Sequence, residues 1–513
     1  MLLKILKKVL IALVILIALV FALAFFSHKN LPDNSQRVAS QSLPVNPEGV
    51  FARFLQPQAA AHPGESGIYP LREGRDAFLA RVALAQTAQY SLDVQYYIWH
   101  DDIAGRLLLQ SLYQAAERGV RVRLLLDDNN TKGMDGLLAA FNAHPRIEVR
   151  LFNPFMQRKH RILGYLSDFS RLNRRMHNKS FTADGVITIV GGRNVGDEYF
   201  DVGSGVMFAD LDVAAVGQAA QDVGRDFDRY WAAESTYPAE NILAASTAGF
   251  DATPSADAET QGYLQALAGS EFARQLRSGS LALRWGKTTL VSDDPAKGLG
   301  KALPENTVLA HIGPVMGAAE RELLIVSPYF VPTQKGTDLL GGIAQSGKNV
   351  TVLTNSLAAT DVAAVHAGYA KYRPALLQAG VKLHELKPDA TVRMENTPGL
   401  GGSSGASLHA KTFTVDGKTL FVGSFNMDPR SAALNTEMGL LIDSPPLAAE
   451  LANGLAQHQA AHTYAVTLAD GGKLQWQTQE NGQSASYDAE PQSGMFKRFS
   501  VWLCALLPIE WML

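Results

Sequence analysis

Two segments of this chain carry the same reactive side chains in the same order. His177, Lys179 and Asn194 stand in HNKSFTADGVITIVGGRN (177–194). His409, Lys411 and Asn426 stand in HAKTFTVDGKTLFVGSFN (409–426). Both fit H-x-K-x4-D-x6-G-x2-N. At average residue usage one copy arises by chance about once in 10⁴ chains of this length, and both together at roughly 10⁻⁸. A cluster of imidazole, ammonium and carboxamide, without cysteine or grouped carboxylates, suits a phosphate rather than a metal. Lys and Asn donate to non-bridging oxygens and stabilise developing charge. Two histidines suit covalent catalysis: one attacks phosphorus, and the other protonates the leaving oxygen and then activates the acceptor. No metal or other cofactor is required.

Each imidazole needs a carboxylate on its far nitrogen to fix its tautomer. Asp210 in FADLDV and Glu437 in LNTEMG follow the two histidines by 33 and 28 residues and are the candidates, with Asp212 competing with Asp210. Arg171, Arg174 and Arg175 precede His177. They read either as a surface for an anionic phosphate or lipid or as a solvated basic loop.

The spacing also places the set. Asp184-Gly185 and Asp416-Gly417 lie between alternating apolar runs, a strong signal of a hairpin with a two-residue turn. With that turn His177 faces Gly192, Lys179 faces Val190 and His409 faces Ser424. The period of two then puts His, Lys and Asn of each copy on one face. Asp184 is roughly 23 Å along a strand from His177, so Asp184 and Asp416 read as turn formers.

Around these hairpins, strands alternate with helices. YSLDVQYYIW (90–99), VRVRLLLDD (120–128) and IEVRLFNP (147–154) read as strands, and GRLLLQSLYQAAERG (105–119) as an amphipathic helix, giving an α/β architecture. ELLIVSPYFV (322–331), NVTVLTNSL (349–357) and VKLHELKP (381–388) repeat the series. Tyr96 to Tyr329, Val120 to Val350 and Val149 to Val381 are offset by 233, 230 and 232, which indicates a duplication.

The 513 residues are 47% hydrophobic and 19% charged, an ordinary globular composition. The net charge of −3 gives no chain-wide basic field, so nucleic acid is not an expected partner. The single cysteine, Cys504, excludes an internal disulfide framework and a Cys-rich metal site. Residues 9–26 are 18 apolar residues without a charge, behind Lys4, Lys7 and Lys8. They cover about 27 Å as a helix. The basic flank predicts a cytoplasmic start and an exported body, with a cleavable signal peptide as the rival reading. Residues 495–513, MFKRFSVWLCALLPIEWML, read as an interfacial amphipathic helix or as a terminal helix docked on the core.

The doubled motif resembles that of the phospholipase D superfamily. YYIWHDDIAGRLLLQSL, VRLLLDDNNT, DFSRLNRRMHNKSFT, TNSLAATDVAAVHAGYAKYR, SGASLHAKTF, GSFNMDPRS and LLPIEW narrow the resemblance to the bacterial cardiolipin synthase C type, over about residues 65–513. The resemblance implies tandem halves with pseudo-twofold symmetry, mixed sheets flanked by helices, and one active site between the halves. It implies a phosphohistidine intermediate and transfer of a phosphatidyl group to an alcohol. Phosphatidylglycerol is then the expected acceptor and phosphatidylethanolamine the donor, giving cardiolipin. By analogy His177 is the nucleophile and His409 the acid/base, an order the sequence alone leaves open. Tyr329, His366, Tyr369 and Arg373 fall in the type-specific stretches and are expected to shape the headgroup pocket, with a packing role as the equal alternative for Tyr329 and Tyr369. Ser424, where the first copy has Gly192, is expected at that pocket too. Phospholipids and a membrane are the expected partners, with the body on the periplasmic side of a bacterial inner membrane. A hydrolytic phospholipase D would use the same residues. A nuclease of the superfamily fits the charge and the hydrophobic ends poorly, and a non-catalytic scaffold fits poorly with two complete motifs.

The expected organisation is an anchor or uncleaved signal at 1–30, a linker at 31–66, a first half at 67–237, a connector at 238–310, a second half at 311–465 and a C-terminal extension at 466–513.

Overall fold

The two motif segments form the central hairpins of two sheets. The computed structural model describes residues 29–202, 207–254, 258–266, 271–388, 406–480 and 482–513, with scattered positions before 29. The same strand series surrounds each hairpin. In the first sheet it runs Asp212–Gly217, Ile187–Gly191, Ser180–Ala183, Ser91–Tyr96, Arg121–Asp127, Ile147–Phe152. In the second it runs Met438–Asp443, Thr419–Gly423, Lys411–Val415, Glu322–Val326, Asn349–Asn355, Lys382–Leu386. The last three strands of each series are mutually parallel and the others antiparallel, so both sheets are mixed.

Parallel neighbours need a crossover, and the amphipathic segments supply it. Ile103–Glu117 links Ser91–Tyr96 to Arg121–Asp127. Its start is set by Asp102, whose carboxylate accepts from Gly105 N at 2.9 Å, and it buries Leu108, Leu109 and Leu112. Gly119, at φ 96°, turns the chain into the next strand. Thr333–Gln345 does the same in the second half. The sheets meet through a shared apolar layer in which Val190, Val213 and Ala215 pack with Val422, Leu440 and Ile442. This layer joins the halves into one body and brings the two motifs together.

Several expectations change. The hairpin register is offset by one residue: Ser180 pairs with Val190 and Lys411 with Gly423. Asp184 and Gly185 (φ 50° and 67°) and Asp416 and Gly417 (φ 55° and 63°) do occupy the turn positions with positive φ. One further residue, Val186 or Lys418, then enters before pairing resumes at Ile187 or Thr419. Strand pairing also aligns Leu92 with Leu323 rather than Tyr96 with Tyr329, because these leucines hold equivalent places in both ladders.

The stretch 31–66 contains a helix, Val50–Ala60, with Phe51, Ala52 and Leu55 buried. Ser42 is tied to Asp228 and to Arg123. The stretch 238–310 supplies an edge strand to each sheet, Arg284–Gly286 and Thr288–Ser292. Beyond 465 the second sheet continues through Leu474–Glu480 and Gln483–Tyr487. Among the described residues, no helix is long and apolar enough to cross a membrane. Much of the apolar run 9–26 lies outside the described residues.

Candidate active site

Each motif histidine is held by the opposite half. His177 N donates to Thr436 O at 2.8 Å, and Thr436 N donates back to Arg175 O at 2.9 Å. His409 N donates to Ala209 O at 2.8 Å. The next residue after each of these carbonyls is a carboxylate. Glu437 Oε2 therefore meets His177 Nδ1 at 2.8 Å, and Asp210 Oδ2 meets His409 Nδ1 at 2.5 Å. The pairs are exchanged: neither half holds both members of a His–carboxylate pair. Asp212, the competitor, is buried against Arg81 at 2.8 Å and Arg193 at 3.6 Å, outside these pairs.

The residue before each histidine is clamped by the end of a parallel strand. Asp127 Oδ2 accepts from Met176 N at 2.7 Å. Asn355 holds Leu408 through both backbone groups, at 2.9 and 3.0 Å. Asp127 and Asn355 close equivalent strands, and sequence reading missed both. Their signal was polar residues ending apolar strands, in LLLDD and VLTNS.

Each lysine reaches back to its own histidine. Lys179 Nζ donates to His177 O at 2.5 Å; Lys411 Nζ bonds His409 O and lies 3.0 Å from His409 Nδ1. Tyr97 packs edge-on to His177 with Lys179 over its ring, Tyr199 packs edge-on to His409, and Phe208 stacks on His409. These aromatics were also missed, since in sequence they look like core residues. Asn194 lies three residues beyond the end of its strand, Ile187–Gly191. Its amide accepts from Ile98 N and donates to Tyr199 O–H, so it braces the Tyr199 that abuts His409. Asn426 is buried nearby at the equivalent place, and its Oδ1 has no hydrogen-bond partner.

Gly192 and Ser424 differ for a steric reason. A Cβ at Gly192 would lie 2.1 Å from Asp210 Oδ1. At Ser424 the side chain is accommodated, and its hydroxyl donates to Glu437 Oε2 at 2.5 Å while accepting from Met438 N at 3.0 Å. Ser424 thus supports the carboxylate rather than facing a headgroup.

The electrostatics set the two pairs apart. Burial pushes Glu437 up to about 7, against the pull of Lys179 and the Ser424 and Ser431 hydroxyls. Burial would also raise Asp210, but His409, Lys411 and Arg193 outweigh it and bring that carboxyl down to about 2. Burial, then Lys179 and Lys411, hold His177 well below the usual imidazole value. Burial and Lys411 lower His409 too, with Asp210 opposing them. Burial lowers Lys411 to about 8 and depresses Lys179 strongly. Four nitrogen bases thus face two carboxylates in a buried site. An added anion would raise the proton affinity of all four.

Asp184 and Asp416 do more than turn the chain. The Asp184 carboxylate accepts from the backbone N–H of Gln89, Tyr90 and Ser91, and Asp416 from Glu320, Arg321 and Glu322. Each locks its hairpin tip to the start of the neighbouring strand.

The remaining residues divide. Tyr329 O–H donates to the exposed Asp361 at 2.8 Å, and Asp361 acts electrostatically on Lys411. His366 and Arg373 are instead joined to Glu490, at 3.1 and 2.5 Å, with Arg373 also on Glu385 at 3.0 Å. Tyr369 packs between them in the core of the second half. Those three form a buried network that ties the C-terminal extension down, with the Arg373 guanidinium already paired to Glu385 and Glu490. The basic run is similarly occupied. Arg171 pairs with Asp168, Arg174 donates to Ala433 O, and Arg175 donates to Asn153 O.

Among the described residues, His100, Asp102 and Glu198 bring metal-ligand atoms within 4.8 Å of one another. Asp102 is already engaged there by Gly105 N and Asp197 N.

Residues 82–231 and 314–459 match the family profile described as cardiolipin synthase, PLD-like domain. The chain is 49% identical over 472 residues to "Cardiolipin synthase C" of Escherichia coli, covering 90% of this chain and 99% of that protein. It is 27% identical to "Cardiolipin synthase" of Geobacillus kaustophilus, over 79% of this chain and 69% of that one. Among solved structures, a phosphatidylserine synthase of Haemophilus influenzae shares the fold, with TM-score 0.53 and 14% identity over 78% of this chain and 87% of that one.

Proposed function

The chain belongs to the phospholipase D-like family of cardiolipin synthases, and from that premise we propose that it is a phosphatidyltransferase making cardiolipin. The observation that carries the reading is the buried cluster in which two His–carboxylate pairs, each exchanged between the halves, face two lysines.

His177 is the nucleophile. Its depressed proton affinity keeps an imidazole lone pair free, and Glu437 fixes its Nδ1–H so that Nε2 attacks. The Nε2–P bond forms as the P–O bond to the donor headgroup breaks. His409, beside an anionic Asp210, is the better placed of the two to hold a proton, which it delivers to the leaving oxygen. The acceptor alcohol then enters. His409 removes its proton, the new P–O bond forms and His177 is released. Lys179, Lys411 and Asn426 stabilise the phosphoryl oxygens. Phosphatidylethanolamine is the proposed donor and phosphatidylglycerol the acceptor.

The body works at a membrane. Residues 9–26 behind three lysines form the anchor, which places the body on the far side of a bacterial inner membrane. Met495–Ala505 is the second contact: Phe496 is 84% and Trp502 57% exposed on this helix, which suits a lipid interface.

The test is incubation of detergent-purified full chain with labelled phosphatidylethanolamine and phosphatidylglycerol. Label in cardiolipin, lost in His177→Ala and in His409→Ala, is expected. Label only in phosphatidic acid, at every acceptor concentration, would contradict transfer.

A further inference from the structure

Behind the loop that carries Asn426 lies an apolar groove of about 630 Å³, within the size range of ligand sites. Its inner wall is Ile325, Phe330, Phe425 and Met427. Helices Val308–Gly317 and Thr333–Gln345 form its sides, and Trp511 closes one end. Large apolar side chains stand open to solvent at its rim: Leu309 is 42%, Leu339 40% and Trp511 54% exposed. An apolar trough open to water is costly, and it signals a ligand of the same character.

Two features connect this groove to the chemistry. Phe425 and Met427 flank Asn426 in the chain, and Phe330 follows the Tyr329 that reaches Asp361. Asp428 lines the groove, yet its charge acts on Lys411. The groove is therefore adjacent to the active site across a single stretch of backbone. At its other end Trp511 continues into the exposed apolar residues of 495–507, the surface suited to the bilayer.

We propose that this groove is an acyl-chain subsite, taking one fatty acyl chain of a phospholipid substrate as the headgroup phosphate enters the His–Lys cluster. The inference rests on the phosphatidyltransfer reading and adds where the lipid tail is held. Lys335 at the groove's edge can donate to an ester oxygen of the chain, while the inner wall excludes water.

The experiment is photolabelling of the full chain in mixed micelles. The probe is phosphatidylethanolamine with a diazirine midway along one acyl chain, and labelled peptides are identified by mass spectrometry. Label is expected on the helices at 308–317 and 333–345 and on 425–433, displaced by excess unlabelled phosphatidylethanolamine. Leu339→Trp and Leu309→Trp fill the groove from opposite walls and should each reduce that label at least fivefold. A diazirine-bearing diacylglycerol without the phosphate should label the groove far less. Label confined to 495–507 would overturn the proposal in favour of a surface contact alone. Groove labelling equal for both probes, or unchanged in both variants, would overturn it as well. Labelling needs no turnover. A protein that labels in the groove but makes no cardiolipin would refute the catalytic reading alone. One that makes cardiolipin without groove label would refute only the subsite.

Discussion

Asp210→Asn separates the two chemical steps. The carboxylate lies 2.5 Å from His409 Nδ1, and both groups are buried. A unit charge about 4 Å from the imidazolium centre, at an effective dielectric near 20, is worth about 4 kcal/mol. Its loss lowers the population of protonated His409 by roughly 10³, which is within the usual 10²–10⁴ contribution of general acid catalysis. His177 and its partner Glu437 are untouched. With phosphatidylethanolamine as donor, turnover should therefore fall about 10³-fold. A donor carrying 4-nitrophenol needs no proton on its leaving oxygen. With that donor the first step should recover to within about tenfold of the unaltered chain. The phosphatidyl group should then accumulate on His177, because deprotonation of the acceptor still depends on His409. Rapid quench with release of nitrophenol, followed by peptide mass spectrometry at low temperature, reads both quantities. Glu437→Ala should show the opposite, with poor labelling and no rescue by nitrophenol. If Asp210→Asn blocked labelling while Glu437→Ala allowed it, the assignment of roles to the exchanged pairs would be refuted.

Further expectations follow from the same geometry. Glu437, raised to about 7, is ionised only above that pH, so kcat/KM should climb through an acidic limb near 7; Ser424→Ala removes a hydrogen bond that favours the anion and should move that limb upward, whereas an unmoved limb would assign it to another group. Gly192→Ser forces a side chain into the Asp210 carboxylate and should cost about 1–3 kcal/mol in denaturant unfolding along with most activity, while Ser424→Gly should be milder. Asp184→Ala leaves three backbone N–H groups without their acceptor and should destabilise by about 3 kcal/mol, with kcat at low temperature nearly kept; a large loss of kcat in folded protein would give Asp184 a chemical role. Chelators should leave turnover unchanged, and loss restored by one divalent ion would bring a metal into the mechanism.

Local signals carried the parts of the fold that are local. The Asp-Gly pairs announced both hairpins, and the repeating strand–helix series announced two α/β halves. What failed was the exact turn length and whatever depended on partners distant in sequence. The register slipped because Val186 and Lys418 enter after turns whose own residues were read correctly. The exchange of Asp210 and Glu437 joins residues 199 and 260 positions from their histidines, and nothing within one half indicates it. Asp127 and Asn355 act on residues far along the chain from the strands they close. The arginines before His177 read as an anion surface or a solvated loop by charge alone, but Asp168 and the carbonyls of Ala433 and Asn153 engage them. His366, Tyr369 and Arg373 lie in a stretch that distinguishes the type, but they connect the extension to the core. Only Tyr329 of that group comes near the lysines, through Asp361.

The claim at the centre of this account is a transfer in two displacements through a phosphorylated histidine, and stereochemistry at phosphorus tests it without any mutation. Phosphatidylethanolamine made as a single phosphorothioate diastereomer would be converted by the full chain with phosphatidylglycerol, and the configuration of the cardiolipin product determined. Two in-line displacements, one at His177 and one by the acceptor, predict overall retention. Inversion would mean that the acceptor attacks the donor directly, and that the buried His177–Glu437 pair is not a nucleophile.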